Sequence, residues 1–320
     1  MKWHAEAPSN IALIKYMGRT NEDTKTPANA SLSYTLSDLK STVELEISSQ
    51  NASHWEPLSL NNASPLTLSS SAQQRFLNHL QYMLDSFSCS HHFIVRSCNN
   101  FPQASGLASS ASSFAALTLA ASLAINDLTH HTPLSRTQLA QISRRGSGSS
   151  CRSFFEPWAF WDNEEVRNLT VAEPYKNLKH QAIVISDEEK AVLSSQAHQQ
   201  VKSSPFYEGR KERAESRLNQ LVTLLNNDIN ANKWEKVYQI TWDEFQDMHH
   251  LFETASPAFR YKNEISENLL KTLALFWEKE GDGPLITMDA GPNIHLLYRA
   301  DQIDIQQKIW HDHLKKFKVL

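Results

Sequence analysis

The sequence is poor in cysteine and, by inspection, has no long unbroken apolar stretch. Three cysteines, Cys89, Cys98 and Cys151, occur among its 320 residues, and their spacing fits no metal-binding pattern. Such a sparse, odd set is typical of a reducing compartment, with each thiol buried as a small apolar side chain. No apolar run reaches the ~18 residues of a membrane span, and the N-terminus lacks a signal-peptide core. These absences predict a soluble, cytoplasmic protein.

An excess of positive charge is also missing. Lysine and arginine number 31 against 35 acidic residues, so the net charge is −4 and offers no general attraction to nucleic acid. Histidine pairs at 91–92, 130–131 and 249–250 lack a carboxylate or cysteine spaced to complete a metal site. We therefore predict no nucleic-acid partner, no membrane partner and no metal held by the protein alone. Any anion must be bound by a local cluster of cations.

The chain is long enough for one large domain or two closely packed ones. Its first half reads mainly as short strands and its second half mainly as helices, which predicts the α+β class with domains at 1–185 and 186–320. The predicted strands are 10–16, 31–36, 42–47, 92–97, 154–161 and 181–186, with a polar surface excursion at 50–70. The predicted helices are 71–86, 106–125, 135–144, most of 194–252, 263–281 and 301–316, with Ser135 and Gly281 as helix caps.

Small and hydroxyl-bearing residues crowd the start of the helix predicted at 106–125. A helix N-terminus carries unpaired N–H groups and a positive dipole end, and small side chains let a polyphosphate approach the backbone. No Lys-Ser or Lys-Thr pair follows Gly106, so this is not a Walker-type loop. An Ala/Ser helix packed closely against a sheet explains the same composition, and the residue types alone leave both readings open.

Two further segments carry polar residues that suit an anionic ligand. "RRGSGSSCRS", at 144–153, combines serine hydroxyls with arginines, whose forked guanidinium matches phosphate or carboxylate oxygens. A helix C-cap with solvated arginines is the structural alternative. "PLITMDAGPNIHLLY", at 284–298, predicts a hairpin with Asp289 at the last strand position before the turn. Asp289 is either a functional acid or a residue that caps its own turn.

Four segments in this order resemble the diphosphomevalonate decarboxylase family of the GHMP kinase superfamily: "APSNIALIKYMGR", "FPQASGLASSASSFAAL", "RRGSGSSCRS" and "TMDAGPN". The resemblance runs from about Ala7 to Tyr298. It implies the GHMP kinase fold, with two closely packed α/β subdomains, an active-site cleft between them, and a homodimer. It also implies ATP- and Mg²⁺-dependent decarboxylation of mevalonate 5-diphosphate to isopentenyl diphosphate in the mevalonate pathway, with ADP, phosphate and CO2 as co-products.

The resemblance also assigns roles to residues of this chain. The implied catalytic residues are Asp289, Lys15 and Arg152. The implied substrate-binding residues are Tyr16, Arg19, Ser147, Ser149, Arg152 and Ser194. The implied ATP-binding residues are Gln103, Ala104, Ser105, Gly106, Leu107, Ala108, Ser109 and Ser110.

Several positions depart from the usual family pattern. Met17 stands for a tryptophan and Arg19 for a lysine, Ala30 replaces a polar residue, and Ser195 stands where some bacterial members carry arginine. These departures bear on substrate preference more than on reaction class. The alternatives are a phosphomevalonate decarboxylase, a mevalonate 3-kinase and a non-catalytic small-molecule sensor. Retention of Asp289 argues against the last two.

Overall fold

The computed structural model describes residues 1–60, 64–102, 109–163, 165–186, 191–227 and 230–320. Its strands are β1 (Lys2–Ile14), β2 (Arg19–Asn21), β3 (Thr26–Pro27), β4 (Ser31–Ile47), β5 (His54–Pro57), β6 (Ser64–Pro65), β7 (Phe93–Asn99), β8 (Trp158–Asp162), β9 (Glu165–Asn168), β10 (Lys179–Val184), β11 (Leu285–Met288), β12 (Ile294–Tyr298) and β13 (Lys318–Val319). Its α-helices are α1 (Ser70–Ser86), α2 (Ser109–Thr129), α3 (Arg136–Arg144), α4 (Ser194–Gln200), α5 (Arg210–Leu225), α6 (Ala231–Thr254), α7 (Glu264–Glu280) and α8 (Ile303–Ile309). Short 3-10 helices lie at Gly148–Phe154, Glu173–Tyr175 and Val201–Ser203, and a π-helical turn at Trp310–Leu314.

The larger sheet has seven strands, and β4 is its centre. β1 pairs antiparallel with almost all of β4, while β8 pairs with the first part of β4 and β7 with its last part. The β1–β4 register shifts between Pro8 and Ser9, which is a bulge that bends both strands. One long strand therefore serves both halves of the sheet, where the sequence predicted two separate strands at 31–36 and 42–47.

The smaller sheet has the order β11-β12-β10-β13 and carries the hairpin that ends in Asp289. A single apolar cluster joins both sheets, with Ile11 and Trp158 from the larger, Leu285 and Ile294 from the smaller, and Trp234 from α6. The two sheets thus share one core, which holds the end of β1 close to the end of β11. The mixture of sheets and helices confirms the α+β class, while a boundary at 185/186 stays a prediction.

Helix α2 bears on the two interpretations that the sequence left open for its small residues. By length and composition it could cross a membrane, but 72% of its apolar window is buried inside the protein. It packs against β1 and β4, next to α1 and α3. Alanine and serine side chains make this close packing possible, so the packed-helix interpretation of the small residues holds along its length.

Other predicted elements were correct or wrong for identifiable reasons. α1, α3 and α7 confirm the helices predicted at 71–86, 135–144 and 263–281, with Ser135 capping α3 and Gly281 in a left-handed conformation after α7. The predicted strand 154–161 was half wrong, because its first part ends a 3-10 helix. The polar excursion at 50–70 contains the short edge strands β5 and β6. These errors concern long-range pairing, which local sequence does not encode. All three cysteines are buried, as predicted.

Candidate active site

The centre of the site is an ion pair between Lys15 and Asp289. Lys15 directly follows β1, not within a strand as predicted, and Asp289 directly follows β11 as the first residue of the turn. Lys15 Nζ lies 2.7 Å from Asp289 Oδ1, although the two residues are 274 positions apart. The Lys15 side chain is only 2% exposed and that of Asp289 is 26% exposed. The carboxylate is therefore the member of the pair that an incoming ligand can reach.

Electrostatics hold Asp289 in its charged form. Burial alone would raise the pKa of the Asp289 carboxyl, but the Lys15 ammonium, with smaller contributions from His295 and Arg152, brings it below its usual value. Burial lowers the pKa of Lys15, and Asp289 opposes that shift. Among the described residues, no donor lies within hydrogen-bonding distance of Asp289 Oδ2, so this oxygen can accept a hydrogen bond from a ligand.

The backbone of Asp289 is held by a buried histidine. The carbonyl oxygen of Asp289 accepts hydrogen bonds from His249 Nε2, at 3.1 Å, and from the Gly291 N–H, at 2.8 Å. Burial lowers the pKa of His249 to about 3, so the neutral ring donates its Nε2–H at any ordinary pH. From the sequence we considered the histidines at 249–250 only as possible metal ligands and did not predict this hydrogen bond.

A buried charge network holds the backbone of Lys15. The Lys15 N–H donates to Glu244 Oε1 at 2.9 Å, and the Lys15 carbonyl accepts from Asn29 Nδ2 at 2.9 Å. Glu244 is fully buried and pairs with Arg210, which also lies 2.9 Å from Asp247 Oδ2. Arg213 and Arg217 complete the network. The sequence carries a signal for this network. Arginines at 210, 213 and 217 share one face of α5, and acids at 244 and 247 share one face of α6.

Arg152 forms a second wall of the site. Its Nε lies 3.2 Å from Asn10 Oδ1 and its Nη1 lies 2.9 Å from Ser31 Oγ. The residue is buried, and burial lowers the pKa of its guanidinium. Among the described residues, no acceptor contacts Nη2, so one edge of the fork is available to an anion. Arg152 is therefore buried and not solvated, in contrast to the structural alternative, and its contact with substrate stays a prediction.

Tyr16 and Arg19 lie together beside this wall. Arg19 Nε donates to the Tyr16 hydroxyl at 2.7 Å, and that hydroxyl donates to the Lys25 carbonyl at 3.2 Å. The Tyr16 ring packs against Trp161 and His198. A Cβ at Gly148 would lie 2.7 Å from Tyr16 ring and hydroxyl atoms. Gly148 is therefore required for the close approach of the Gly-Ser-Gly-Ser segment to Tyr16.

The serine-rich segments meet at Ser110 and Ser147, whose hydroxyl oxygens lie 3.2 Å apart. Ser41 Oγ lies 2.6 Å from Ser112 Oγ and 3.0 Å from Ser113 Oγ, which ties the start of α2 to β4. The N-terminal end of α2 and the Gly-Ser-Gly-Ser segment thus form one surface. The other predicted ATP-binding positions, 103–108, lie outside the described residues; Ser109 begins α2.

The remaining predicted residues differ in their placement. Ser149 is half-buried, and its carbonyl lies 3.5 Å from Asn10 Nδ2. Ser194 is exposed at the start of α4, with no described contact to the other site residues. α4 still reaches the site, because the Gly18 N–H donates to His198 Nδ1 at 3.1 Å. The sequence did not indicate this histidine.

The departures from the family pattern fall on packed and on exposed positions. Met17 is buried in an apolar cluster with Ala197, Met248 and Ala290, so it ties the end of the β1 segment to the turn of Asp289. Ala30 is buried in the main core, where an apolar side chain is favoured. Ser195 is exposed on α4.

The residues present fit a magnesium ion that arrives with a nucleotide. No group of three or more His, Cys, Asp or Glu side chains in the described ranges could hold a metal by itself. Mg²⁺ is commonly bound through phosphate oxygens, water and one or two protein oxygens. The Ser110 hydroxyl, at the start of α2, and the Ser147 hydroxyl, 3.2 Å from it in the Gly-Ser-Gly-Ser segment, offer oxygen ligands of that kind.

Comparisons with known proteins agree with this geometry. Residues 7–172 match the family model of the diphosphomevalonate decarboxylase-like N-terminal domain, and residues 182–318 match that of the mevalonate 5-diphosphate decarboxylase C-terminal domain. The chain belongs to the diphosphomevalonate decarboxylase family. The diphosphomevalonate decarboxylase of Gibberella zeae is 31% identical, over 93% of this chain and 81% of the relative.

Solved structures of the diphosphomevalonate decarboxylase family share the whole fold. A mevalonate diphosphate decarboxylase from Legionella pneumophila aligns with a TM-score of 0.93 and 49% identity, over 100% of both chains. MDDEF in complex with MVAPP, AMPPCP and magnesium aligns with a TM-score of 0.84 and 28% identity, over 100% of this chain and 96% of that one. The GHMP kinase fold expected from the resemblance is thereby confirmed, and the family consists of soluble metabolic enzymes.

Proposed function

We propose that this protein converts mevalonate 5-diphosphate and ATP to isopentenyl diphosphate, ADP, phosphate and CO2, in the mevalonate pathway. The observation that carries the proposal is the ion pair of Asp289 with Lys15 at the accessible end of a buried site. Arg152, Tyr16, Arg19 and the serine segments surround this pair with groups suited to anions. Membership of the diphosphomevalonate decarboxylase family supports the same reaction.

In this reaction the tertiary hydroxyl of the substrate is made into a leaving group. The hydroxyl oxygen forms a bond to the terminal phosphorus of ATP, and ADP leaves. The C–O bond then breaks with its electron pair on the departing phosphate. The bond to the carboxylate supplies the electrons of the new double bond, and CO2 is released. The hydroxyl proton is the one proton that the protein must accept.

Asp289 is the proposed acceptor of that proton. Its lowered pKa means that the carboxylate orients the hydroxyl through a hydrogen bond and takes the proton late, as the oxygen bonds to phosphorus. A fixed carboxylate also stabilises positive character at the carbon that loses phosphate. Lys15 keeps Asp289 ionised and in place. Its positive charge also offsets part of the negative charge of the two substrates.

The other proposed roles rest on the family resemblance and, for Arg152, Tyr16 and Arg19, also on placement beside the ion pair. Arg152 presents its free guanidinium edge to the substrate carboxylate or diphosphate. Tyr16, Arg19, Ser147 and Ser149 bind the diphosphate, and Ser194 binds at the outer rim. The segment 103–110 binds the phosphates of ATP, and Mg²⁺ bound there would neutralise the negative charge of those phosphates. A cytoplasmic location and a homodimer remain predictions.

A three-substrate assay tests the proposed reaction. The protein is incubated with ATP and either mevalonate, its 5-phosphate or its 5-diphosphate, and both ADP and CO2 are measured. We expect ADP and CO2 in equal amounts with the diphosphate. Release of ADP without CO2 would identify a mevalonate 3-kinase. Preference for the 5-phosphate would identify a phosphomevalonate decarboxylase, and the absence of both products with every substrate would identify a sensor.

Replacing Arg152 tests the second wall of the site. Arg152→Gln keeps one amide donor near Asn10 but removes the charge and the longer guanidinium, and we expect the KM for mevalonate 5-diphosphate to rise roughly 10- to 100-fold. The KM for ATP should change little. Steady-state kinetics check both values, with Arg167→Gln, on the exposed face of β9, as the matched control. An unchanged substrate KM would mean that Arg152 does not bind the substrate.

A further inference from the structure

Lys25 belongs to a basic cluster that the family motifs do not include. It lies in the turn between β2 and β3, a two-stranded hairpin that starts at Arg19. Its φ of 52° is in the left-handed region, which a residue with a side chain adopts only when its surroundings require it. The hairpin directs the Lys25 ammonium to the backbone carbonyls of Arg145 and Gly146, the latter at 3.4 Å.

Among the described residues, no acidic side chain lies within salt-bridge distance of Lys25, although Glu22 lies near enough to act on its charge. Arg75 Nη2 donates to the same Gly146 carbonyl, at 3.2 Å. In the described part of the chain, Lys25, Arg75 and Arg145 make no salt bridge; Glu22 pairs instead with Arg19 and Lys202. Burial, with further contributions from Arg19, Arg75 and Arg145, lowers the pKa of Lys25 to about 8, and Glu22 opposes this shift only in part. Neighbouring cations disfavour one another, and a bound anion relieves that repulsion.

The cluster adjoins the residues proposed to bind the substrate diphosphate. The Tyr16 hydroxyl donates to the Lys25 carbonyl, and Arg19 contacts that hydroxyl. Ser147 follows Gly146 directly, so the carbonyls that Lys25 contacts border the Gly-Ser-Gly-Ser segment. A neutral carbonyl is a weaker partner for an ammonium than a phosphoryl oxygen is, so a bound diphosphate within reach would take Lys25 from these carbonyls.

We infer that Lys25 is a substrate-binding residue that takes the terminal phosphoryl group of the substrate's diphosphate. This inference rests on the proposed function and deepens it, because a contact to the terminal phosphate lets the site prefer a diphosphate over a monophosphate. ATP brings the same phosphoryl chemistry, so the test measures both ligands. Tyr16, which contacts Lys25, and Arg19, which contacts Tyr16, favour the substrate as the source.

Lys25→Gln is the informative variant, since the amide can still donate to the two carbonyls but carries no charge. We expect the KM for mevalonate 5-diphosphate to rise about 10- to 100-fold, with kcat changed less than about threefold and the KM for ATP unchanged. Inhibition by inorganic pyrophosphate, competing with the substrate, should weaken by a similar factor. Lys25→Arg should recover most of the affinity.

The controls separate binding from a structural role. Lys211→Met removes an exposed lysine on α5 that pairs with Glu215, and its kinetics and Tm should match the parent protein. An unchanged substrate KM in Lys25→Gln, a rise confined to the KM for ATP, or a lowered Tm that Lys25→Arg does not restore would each overturn the inference. If the unmodified protein turned over none of the three mevalonate compounds, the proposed function would fail instead.

Discussion

Asp289→Asn is expected to lower kcat by about 10²- to 10⁴-fold while the KM values for both substrates stay within a few-fold, as for removal of a general base. The amide is isosteric, and its oxygen can still accept the hydrogen bond from Lys15 Nζ. The backbone bonds from His249 and Gly291 do not involve the side chain. Binding should therefore survive, while proton acceptance and stabilisation of positive character are lost.

The measurement is release of labelled CO2 together with ADP at saturating substrates. Asp243→Asn is the matched control, since among the described residues the Asp243 carboxylate accepts a hydrogen bond from Gln239 alone, on the exposed side of α6. That control should turn over normally. If Asp289→Asn released CO2 at a near-normal rate, Asp289 would not be the proton acceptor, and the arrangement around Lys15 would need another explanation.

Glu244→Ala is expected to lower the free energy of unfolding by about 3–5 kcal/mol, because it removes the fully buried carboxylate of the network and leaves Arg210 and Arg217 only the single charge of Asp247 among the described residues. Glu244 is fully buried against Arg210, which is 2% exposed. The substitution also removes the acceptor of the Lys15 N–H, so Lys15 loses a contact that fixes its backbone. A loss of activity should therefore accompany the loss of stability.

Urea denaturation checks the stability, and kcat is measured well below the denaturation midpoint. Glu215→Ala is the control, because Glu215 pairs only with exposed Lys211 on α5, at 3.7 Å; its effect should be within about 0.5 kcal/mol. Glu244→Gln, which can still accept from the Lys15 N–H, should lose less activity than Glu244→Ala. A destabilisation below about 1 kcal/mol in Glu244→Ala would show that the network does not hold this region together.

Local signals were sufficient for most of the helices. The Ser135 cap and Gly281 stop are interactions within one or two turns, so residues near in sequence decide them. The strands were less predictable, because β4 is one strand only through its pairing with β1, β7 and β8. The end of β1 at Ile14 has the same cause, and it places Lys15 and Tyr16 beyond the strand, although the sequence predicted a strand at 10–16.

Some residues of the candidate site could likewise be predicted from the sequence, and others could not. The motifs contain the residue types that phosphate and proton chemistry need, and so Asp289, Arg152 and the serine segments could be named from them. His249, His198, Glu244 and Lys25 could not, because each acts through a contact with a distant part of the chain. Glu244 illustrates this best: on α6 alone it reads as one more acid on a solvated helix.

By itself, the sequence determined the α+β architecture and the chemical groups available to the site, through composition and short-range periodicity. It indicated the reaction class only through the resemblance of four ordered motifs to a known family. Only the tertiary structure decided which groups meet, which of them are charged, and which remain accessible. Those properties depend on burial and on the distance between charges, and both arise when segments hundreds of residues apart pack into one core.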